Sequence, residues 1–263
     1  MSTLVLKFGG ASVSDPESFA NVADIIIQRS ESFNKCVVVV SAMGNTTSQL
    51  FELAAKVHDH PPKRELDMLV SVGERVSISL LAMALSRRSK GAISFTGSQS
   101  GIITSDHHTE ARIVDVRPCR IFDQLIQNKI VIVAGFQGVS LSGEITTLGR
   151  GGSDTSAVAL AVALSADKVE FYKDVKGVYS KDPKKHSDAL FHDELSYDQA
   201  LSIVDEGARV LHKRSLLLAK KNNLPLHVLS FLDFNGSVSK GTIISDKGGS
   251  PRRDGFVYED LVN

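Results

Sequence analysis

Short apolar runs alternate with stretches of helical periodicity along almost the whole chain. The run at residues 4–8 is apolar apart from Lys7, and the run at residues 36–40 is apolar throughout, as is typical of strands that are covered on both faces. The same pattern predicts further strands at residues 92–95, 130–134, 168–172 and 225–230.

Between these strands the apolar positions recur at helical spacing. Phe19, Val22 and Ile26 give one apolar face, and Asp15 and Pro16 before them are typical of a helix start. Further helices are predicted at residues 62–88, 116–127, 153–164 and 211–222, and a β-hairpin at residues 139–147. This alternation predicts a three-layer α/β/α sandwich around a mainly parallel sheet.

Composition narrows the class of protein. The 263 residues are 42% hydrophobic and 23% charged, as in ordinary globular proteins, and 30 basic residues balance 30 acidic ones. No basic field favours nucleic acid, and no apolar run approaches the roughly 20 residues of a membrane span. Two distant cysteines form no disulfide framework or zinc pattern. We therefore expect a cytoplasmic protein with neither nucleic acid nor membrane as a partner.

Two segments have the character of anion sites. The first, KFGGAS at residues 7–12, follows the first strand, and its paired glycines allow backbone N–H groups to approach a phosphate beside Lys7. The second, TTLGRGGSDTS at residues 146–156, places three glycines, Arg150 and Asp154 where a helix begins. The alternatives are a tight turn with a solvated lysine for the first, and a simple N-terminal cap for Asp154.

Three other segments are weaker when each is taken alone. Residues 173–183 (KDVKGVYSKDP) follow a strand at the edge where open sheets bind ligands, and Tyr179 is suited to stack on a base. Residues 71–75 (SVGER) and 41–47 (SAMGNTT) contribute a helical Glu-Arg pair and a polar turn. The alternatives are a solvated loop for residues 173–183, a surface pair for residues 71–75 and a routine turn for residues 41–47.

Taken in order, KFGGAS, SAMG, VGE, TTLGRGGSD and DVKGVYSKDP resemble the aspartate kinases of the amino-acid kinase superfamily over residues 3–245. KFGGAS and TTLGRGGSD are specific, because superfamily members that phosphorylate glutamate, acetylglutamate or UMP carry different loops. The resemblance implies an eight-stranded sheet with ATP and L-aspartate along the carboxyl ends of its strands. It also implies transfer of the γ-phosphoryl group to the side-chain carboxylate, the first step towards lysine, threonine and methionine.

The resemblance assigns roles residue by residue. Lys7 and Asp154 are implied as catalytic, with Lys7 on the transferring phosphoryl group and Asp154 holding that lysine. The residues implied to bind ATP are Lys7, Gly9, Gly10, Lys173, Asp174, Tyr179, Lys184 and Arg209. Those implied to bind aspartate are Ser41, Thr47, Glu74, Arg150 and Ser153. Mg²⁺ is expected to arrive with ATP rather than in a protein-built metal site.

The sequence also departs from the family pattern. Lys173 stands where a threonine is usual, and Arg209 where a lysine is usual. We expect residues 1–246 to form the catalytic domain and residues 247–263 a weakly ordered tail, without the ACT regulatory domains of the family and therefore without inhibition by lysine, threonine or methionine. A homodimer is a possible assembly.

Two alternatives stay open. The chain has the features of another amino-acid or small-molecule kinase of the same fold, or of a non-catalytic nucleotide-binding regulatory subunit. Arg150 and Glu74 favour a substrate with both an α-carboxylate and an α-ammonium group. Lys7 and Asp154 favour catalysis over regulation.

Overall fold

A computed structural model describes residues 2–208, 210–236, 240–246 and 251–260. The strands are β1 (Thr3–Phe8), β2 (Lys35–Val40), β3 (Ala92–Phe95), β4 (Ile102–Thr104), β5 (Ile113–Val116), β6 (Ile130–Ala134), β7 (Gln137–Ser140), β8 (Ile145–Thr147), β9 (Lys168–Lys173), β10 (Val178–Tyr179), β11 (Phe191–His192), β12 (Glu194–Leu195), β13 (Leu226–Ser230) and β14 (Thr242–Ile244). The helices are α1 (Ser18–Ser32), α2 (Thr46–Val57), α3 (Lys63–Val70), α4 (Val72–Ser86), α5 (Cys119–Ile126), α6 (Gly152–Ala163), α7 (Tyr197–Asp205) and α8 (Lys213–Lys221).

An eight-stranded sheet forms the centre of the fold. Its strand order is β12-β14-β13-β9-β1-β2-β6-β3, and β13–β14 is the antiparallel pair within it. β1 lies between β2 and β9, parallel to both. The expected mainly parallel, eight-stranded sheet is confirmed.

The core lies on both faces of this sheet. Alternate residues of a strand point to opposite faces, so Val5 packs into one apolar cluster and Leu4 and Leu6 into the other. The first cluster holds α6 and α8, and the second holds α1 and α4. This arrangement gives the three layers that the alternating pattern predicts.

Several element boundaries differ from the sequence-based predictions. The helix predicted at residues 62–88 is two helices, with Ser71 between α3 and α4. The first helix begins at Ser18 rather than Pro16, and Asp15 Oδ1 accepts the N–H of Ser18 at 2.8 Å. The helix predicted at residues 116–127 begins at Cys119, because Val116 pairs with Ile102 of β4 and ends β5 instead. α2 and α7 are additional helices.

A second, four-stranded sheet lies beside the first, in the order β5-β4-β7-β8. The predicted hairpin is confirmed as the antiparallel pair β7–β8, which ends at Thr147. This sheet therefore delivers the glycine-rich segment at residues 148–152 to the start of α6.

Two further findings differ from expectation. Lys63–Ser86, which comprises α3 and α4, is long and apolar enough by composition to span a membrane, although 44% of its most apolar window is buried inside the protein. In the described part of the tail, 251–260, Phe256 and Tyr258 pack against the core, and Val257 exchanges hydrogen bonds with the Asn222 side chain. These contacts differ from the weakly ordered tail that its polar composition suggests.

Candidate active site

The carboxyl ends of β1, β2 and β9 bring three separate segments of the chain together. Phe8 at the end of β1 is in register with Val40 of β2 and Tyr172 of β9. The residues that follow these strands therefore meet at one edge of the sheet, which is where open α/β sheets bind ligands.

Two lysines share one carboxylate at this edge. Lys7 Nζ lies 2.5 Å from Asp154 Oδ1, and Lys173 Nζ lies 3.2 Å from Asp154 Oδ2. The side chains of Lys7 and Asp154 are 6% and 8% exposed. Two cations against one anion leave an excess positive charge in a nearly buried place, and an anionic ligand would balance it.

The pKa values at this centre reflect burial and mutual charge. Burial lowers the pKa of Lys7, while the Asp154 carboxylate opposes that change. Burial acts to raise the pKa of Asp154, but the charges of Lys173 and Lys7 outweigh it and hold the pKa at about 2. Asp154 is thus ionised at neutral pH and holds both lysine side chains in place.

The glycine pair after β1 is Gly9 and Gly10, and Gly10 packs closely against the backbone of residues 42–44, a contact that we call the glycine crossing. A Cβ at residue 10 would lie 2.8 Å from the carbonyl oxygen of Gly44 and 2.9 Å from that of Ala42. Only glycine fits there without moving the backbone. A Cβ at residue 9 would lie 3.6 Å from Lys7 Nζ, so Gly9 stands directly beside the amine.

Glu74 is buried next to this crossing. Its Oε1 accepts the N–H of Ala42 at 3.1 Å, and its Oε2 has no hydrogen-bond partner among the residues that the structure describes. Burial raises the pKa of Glu74 to about 7, and hydrogen bonds from the backbone oppose the rise. A cationic group of a ligand would stabilise the charged form of this carboxylate.

The hydroxyl groups predicted to bind the substrate lie around Glu74 and Asp154. A Cβ at residue 73, next to Glu74, would lie 2.8 Å from the Cβ of Ala42 and 3.8 Å from Thr47 Oγ1. Ser41 follows β2 and donates its N–H to the carbonyl of Phe8 at 3.1 Å. Ser153 lies in the first turn of α6, immediately before Asp154. The structure brings these residues to the same edge of the sheet.

Arg150 lies in the loop between β8 and α6, two residues before α6 begins. It is exposed, and it makes no hydrogen bond or ion pair to any part of the chain that the structure describes. Burial lowers the pKa of the nearby His212, and the charges of Arg214 and Arg150 act in the same direction while Asp154 opposes them. Arg150, His212 and Asp154 are therefore neighbours, and the guanidinium of Arg150 is free to bind an anion.

The residues predicted on the nucleotide side lie in a more open region. Lys184 forms an ion pair with Asp174, and this pair lowers the pKa of Asp174. Tyr179 packs edge-on against Phe191, with ring centroids 5.3 Å apart. Arg209, also predicted to bind ATP, lies outside the described residues.

Some residues that organise the site were missed by sequence reasoning. Gln137 donates from Nε2 to the carbonyl of Ser71 at 2.8 Å, next to Glu74. Asp67 is fully buried and accepts hydrogen bonds from Thr147 Oγ1 at 2.5 Å and from the N–H of Thr109 at 3.0 Å. Neither residue lies in a recognisable motif, and no signal in the sequence links them to partners so distant along the chain.

Within the described ranges, no three His, Cys, Asp or Glu side chains lie close enough to form a metal site.

Comparison with known proteins places this geometry in context. The model of the amino acid kinase family matches residues 2–230. An aspartokinase of Geobacillus stearothermophilus is 46% identical over the whole of this chain, which covers 64% of that protein. The chain thus spans less than two thirds of the length of such relatives.

Two solved structures share the fold closely. The aspartate kinase from Synechocystis superposes with a TM-score of 0.82 at 42% identity, over 97% of this chain and 41% of that one. E. coli aspartokinase III, in complex with aspartate and ADP, superposes with a TM-score of 0.82 at 28% identity, over 94% of this chain and 65% of that one.

Proposed function

We propose that this chain, which belongs to the amino acid kinase family, transfers the γ-phosphoryl group of ATP to the side-chain carboxylate of L-aspartate. The observation that carries the proposal is the Lys7–Asp154–Lys173 centre, whose excess positive charge lies beside the glycine crossing at the end of β1. A phosphoryl group between nucleotide and acceptor is the kind of anion that this centre would stabilise.

The acceptor pocket supports an amino acid as the second substrate. Glu74 offers a buried carboxylate oxygen for an α-ammonium group, and Arg150 offers a free guanidinium for an α-carboxylate. Ser41, Thr47 and Ser153 would complete this pocket. The similar Geobacillus and Synechocystis proteins are named aspartokinase and aspartate kinase, and the E. coli structure holds aspartate and ADP.

The proposed step needs no general base. The side-chain carboxylate of aspartate is already ionised at neutral pH. One of its oxygens attacks the γ-phosphorus, the bond from that phosphorus to the bridging oxygen of the β-phosphate breaks, and 4-phospho-L-aspartate and ADP result. Lys7 would neutralise charge on the transferring group, and Asp154 would hold Lys7 in line.

The nucleotide would lie across the open region after β9. Gly9 and Gly10 would approach the phosphates through their N–H groups, and Lys173, Asp174, Tyr179 and Lys184 would contact the remainder of ATP. Mg²⁺ would bind to the nucleotide phosphates and would therefore need few ligands from the protein. A cytoplasmic location and assembly as a homodimer are part of the same proposal.

A coupled assay of ADP release with a panel of acidic amino acids tests the proposal. ADP should form with L-aspartate and far more slowly with L-glutamate, because one extra methylene moves the attacking carboxylate out of line. Equal kcat/KM for the two amino acids would contradict the assignment of the acceptor. ATP binding without release of ADP in the presence of any acceptor would instead favour the non-catalytic nucleotide-binding alternative.

A further inference from the structure

The side chain of Arg214 joins the C-terminal segment 251–260 to the loop that carries Arg150. We infer that Glu259 is a positioning residue for the acceptor substrate, because it holds Arg214 against the backbone of that loop. The inference rests on the proposed function of Arg150 as the group that binds the substrate carboxylate. It adds a residue that lies outside every motif identified in the sequence.

Arg214, near the start of α8, bridges two separate pieces of backbone. Its Nη1 donates to the carbonyl of Leu148, and its Nη2 donates to the carbonyl of Ala111 at 2.9 Å. The N–H of Ala111 in turn donates to the carbonyl of Thr147 at 2.9 Å. One guanidinium therefore stabilises the path of the chain just before Arg150.

Glu259 occupies the other side of the same guanidinium. Its Oε1 accepts from Nε of Arg214 at 2.7 Å and its Oε2 accepts from Nη2 at 2.8 Å, a two-pronged pair in which the side chains are 16% and 8% exposed. Oε2 also accepts the N–H of Ile113 at 2.9 Å. Such fork geometry fixes the plane of the guanidinium as well as its position.

The backbone of Glu259 is itself tied to the second sheet. Its N–H donates to the carbonyl of Ile113 at 3.1 Å, and two residues earlier Val257 exchanges hydrogen bonds with the Asn222 side chain at 2.7 Å and 3.0 Å. The segment is thus held at Glu259 itself and two residues before it, next to the carboxylate that orients Arg214.

The loop that follows Leu148 depends on the hydrogen bonds of Arg214, because Arg150 adds no side-chain hydrogen bond to the described chain. Leu148 is fully buried and donates its N–H to the carbonyl of Phe136 at 2.9 Å, whereas Arg150, two residues later, is exposed and makes no hydrogen bond or ion pair to the described chain. The loop backbone therefore fixes where the Arg150 side chain begins, and no hydrogen bond or ion pair to the described chain orients its guanidinium. A shift of the Leu148 carbonyl would be carried to Arg150, while Lys7 and Asp154 sit on β1 and α6 and would be spared.

The chain offers a close test with a matched control. Glu259→Gln keeps the size of the side chain but turns a donor towards Arg214, so the two-pronged pair is lost. Asp260→Asn is the control, since Asp260 is the next residue in the same segment and forms an exposed ion pair with Lys221. Both variants are compared with the wild type in steady-state kinetics and in hydrogen exchange of the loop 147–152.

For Glu259→Gln we expect KM for aspartate to rise about tenfold, with KM for ATP changed less than about twofold, because only the carboxylate clamp is displaced. Exchange of the amides in 147–152 should accelerate in this variant and stay unchanged in Asp260→Asn. Arg214→Lys, which keeps the charge but loses the fork, should show the same split. If Glu259→Gln does not fold, Arg214→Lys carries the comparison.

The outcomes separate this inference from the proposed function. A wild-type protein that does not phosphorylate aspartate would overturn the proposed function, and the exchange comparison would still decide whether Glu259 orders the loop. Equal changes in the two KM values, or unchanged exchange of the loop in Glu259→Gln, would overturn the positioning role. An effect of the same size in Asp260→Asn would show that the segment contributes stability alone.

Discussion

The Lys7–Asp154–Lys173 centre and the region of Tyr179 and Lys184 differ in how firmly the fold holds them. The centre is nearly buried, and its members lie on β1, β9 and the first turn of α6. Lys184, in contrast, pairs with Asp174 on the surface, where the two side chains are 61% and 46% exposed. Water screens the exposed Lys184–Asp174 pair and not the buried centre, so removal of a charge should reduce activity most at the buried centre.

The largest effect is expected from Lys7→Ala. Loss of the amine removes positive charge from the place where phosphoryl charge shifts during transfer, so kcat should fall about a thousandfold. The dissociation constant of ATP should change much less. An unchanged kcat with a raised KM for ATP would show that Lys7 serves binding only, and Lys181→Ala, in the exposed pair with Asp188, is a suitable surface control.

Burial should also make the contribution of Glu74 to stability depend on pH. Burial raises the pKa of Glu74 from 4.5 to about 7. Between those pH values the folded protein retains a proton that the unfolded chain has released, so the contribution of Glu74 to stability falls as pH rises through this window. Between pH 4 and pH 8, the free energy of unfolding of Glu74→Gln should therefore increase by about 3 kcal/mol relative to that of the wild type. Denaturant unfolding at the two pH values measures this difference.

A difference between wild type and Glu74→Gln that is constant with pH would contradict this prediction. The same ionisation should also act on the substrate, because only the charged carboxylate attracts an α-ammonium group. KM for aspartate should accordingly rise as pH falls below about 7.

A smaller effect is expected from Arg150→Lys. Lysine keeps the charge but loses the two-pronged fit to a carboxylate, so KM for aspartate should rise roughly tenfold or more with little change in KM for ATP. Steady-state titration of each substrate at saturating concentration of the other measures both constants. A change confined to the ATP constant would place Arg150 on the nucleotide side.

The smallest effect should come from Lys184→Ala. An exposed ion pair contributes little to stability, so the melting temperature should hardly change. KM for ATP should rise a few-fold if this lysine meets the phosphates, without a change in KM for aspartate. A raised concentration of salt should reproduce much of that effect in the wild type, and failure to do so would argue against an exposed electrostatic contact.

The pattern of residues predicted much of the fold and the motifs of the site. The strands at 4–8, 36–40 and 130–134 were predicted because short, mainly apolar runs suit a sheet covered on both faces. The resemblance to the amino-acid kinase superfamily is confirmed by the family match over residues 2–230. Strand β5 was missed, since short apolar stretches do not distinguish helix from strand. The break at Ser71 was missed because helices lie on both sides of it and share one predicted helical region.

Sequence alone determined the alternation of the main strands and helices and the presence of the glycine-rich, lysine and arginine motifs. Those properties depend on neighbouring residues, because periodicity and turn chemistry act over a few positions. Tertiary structure alone decided that Lys173 also pairs with Asp154, that Asp67 reaches Thr147 across 80 positions, and that Arg214 binds Leu148 across 66 and Glu259 across 45. Each of these contacts joins a polar group to a partner far along the chain, and burial makes a missing partner costly. Only the packed layers bring such partners within hydrogen-bonding distance.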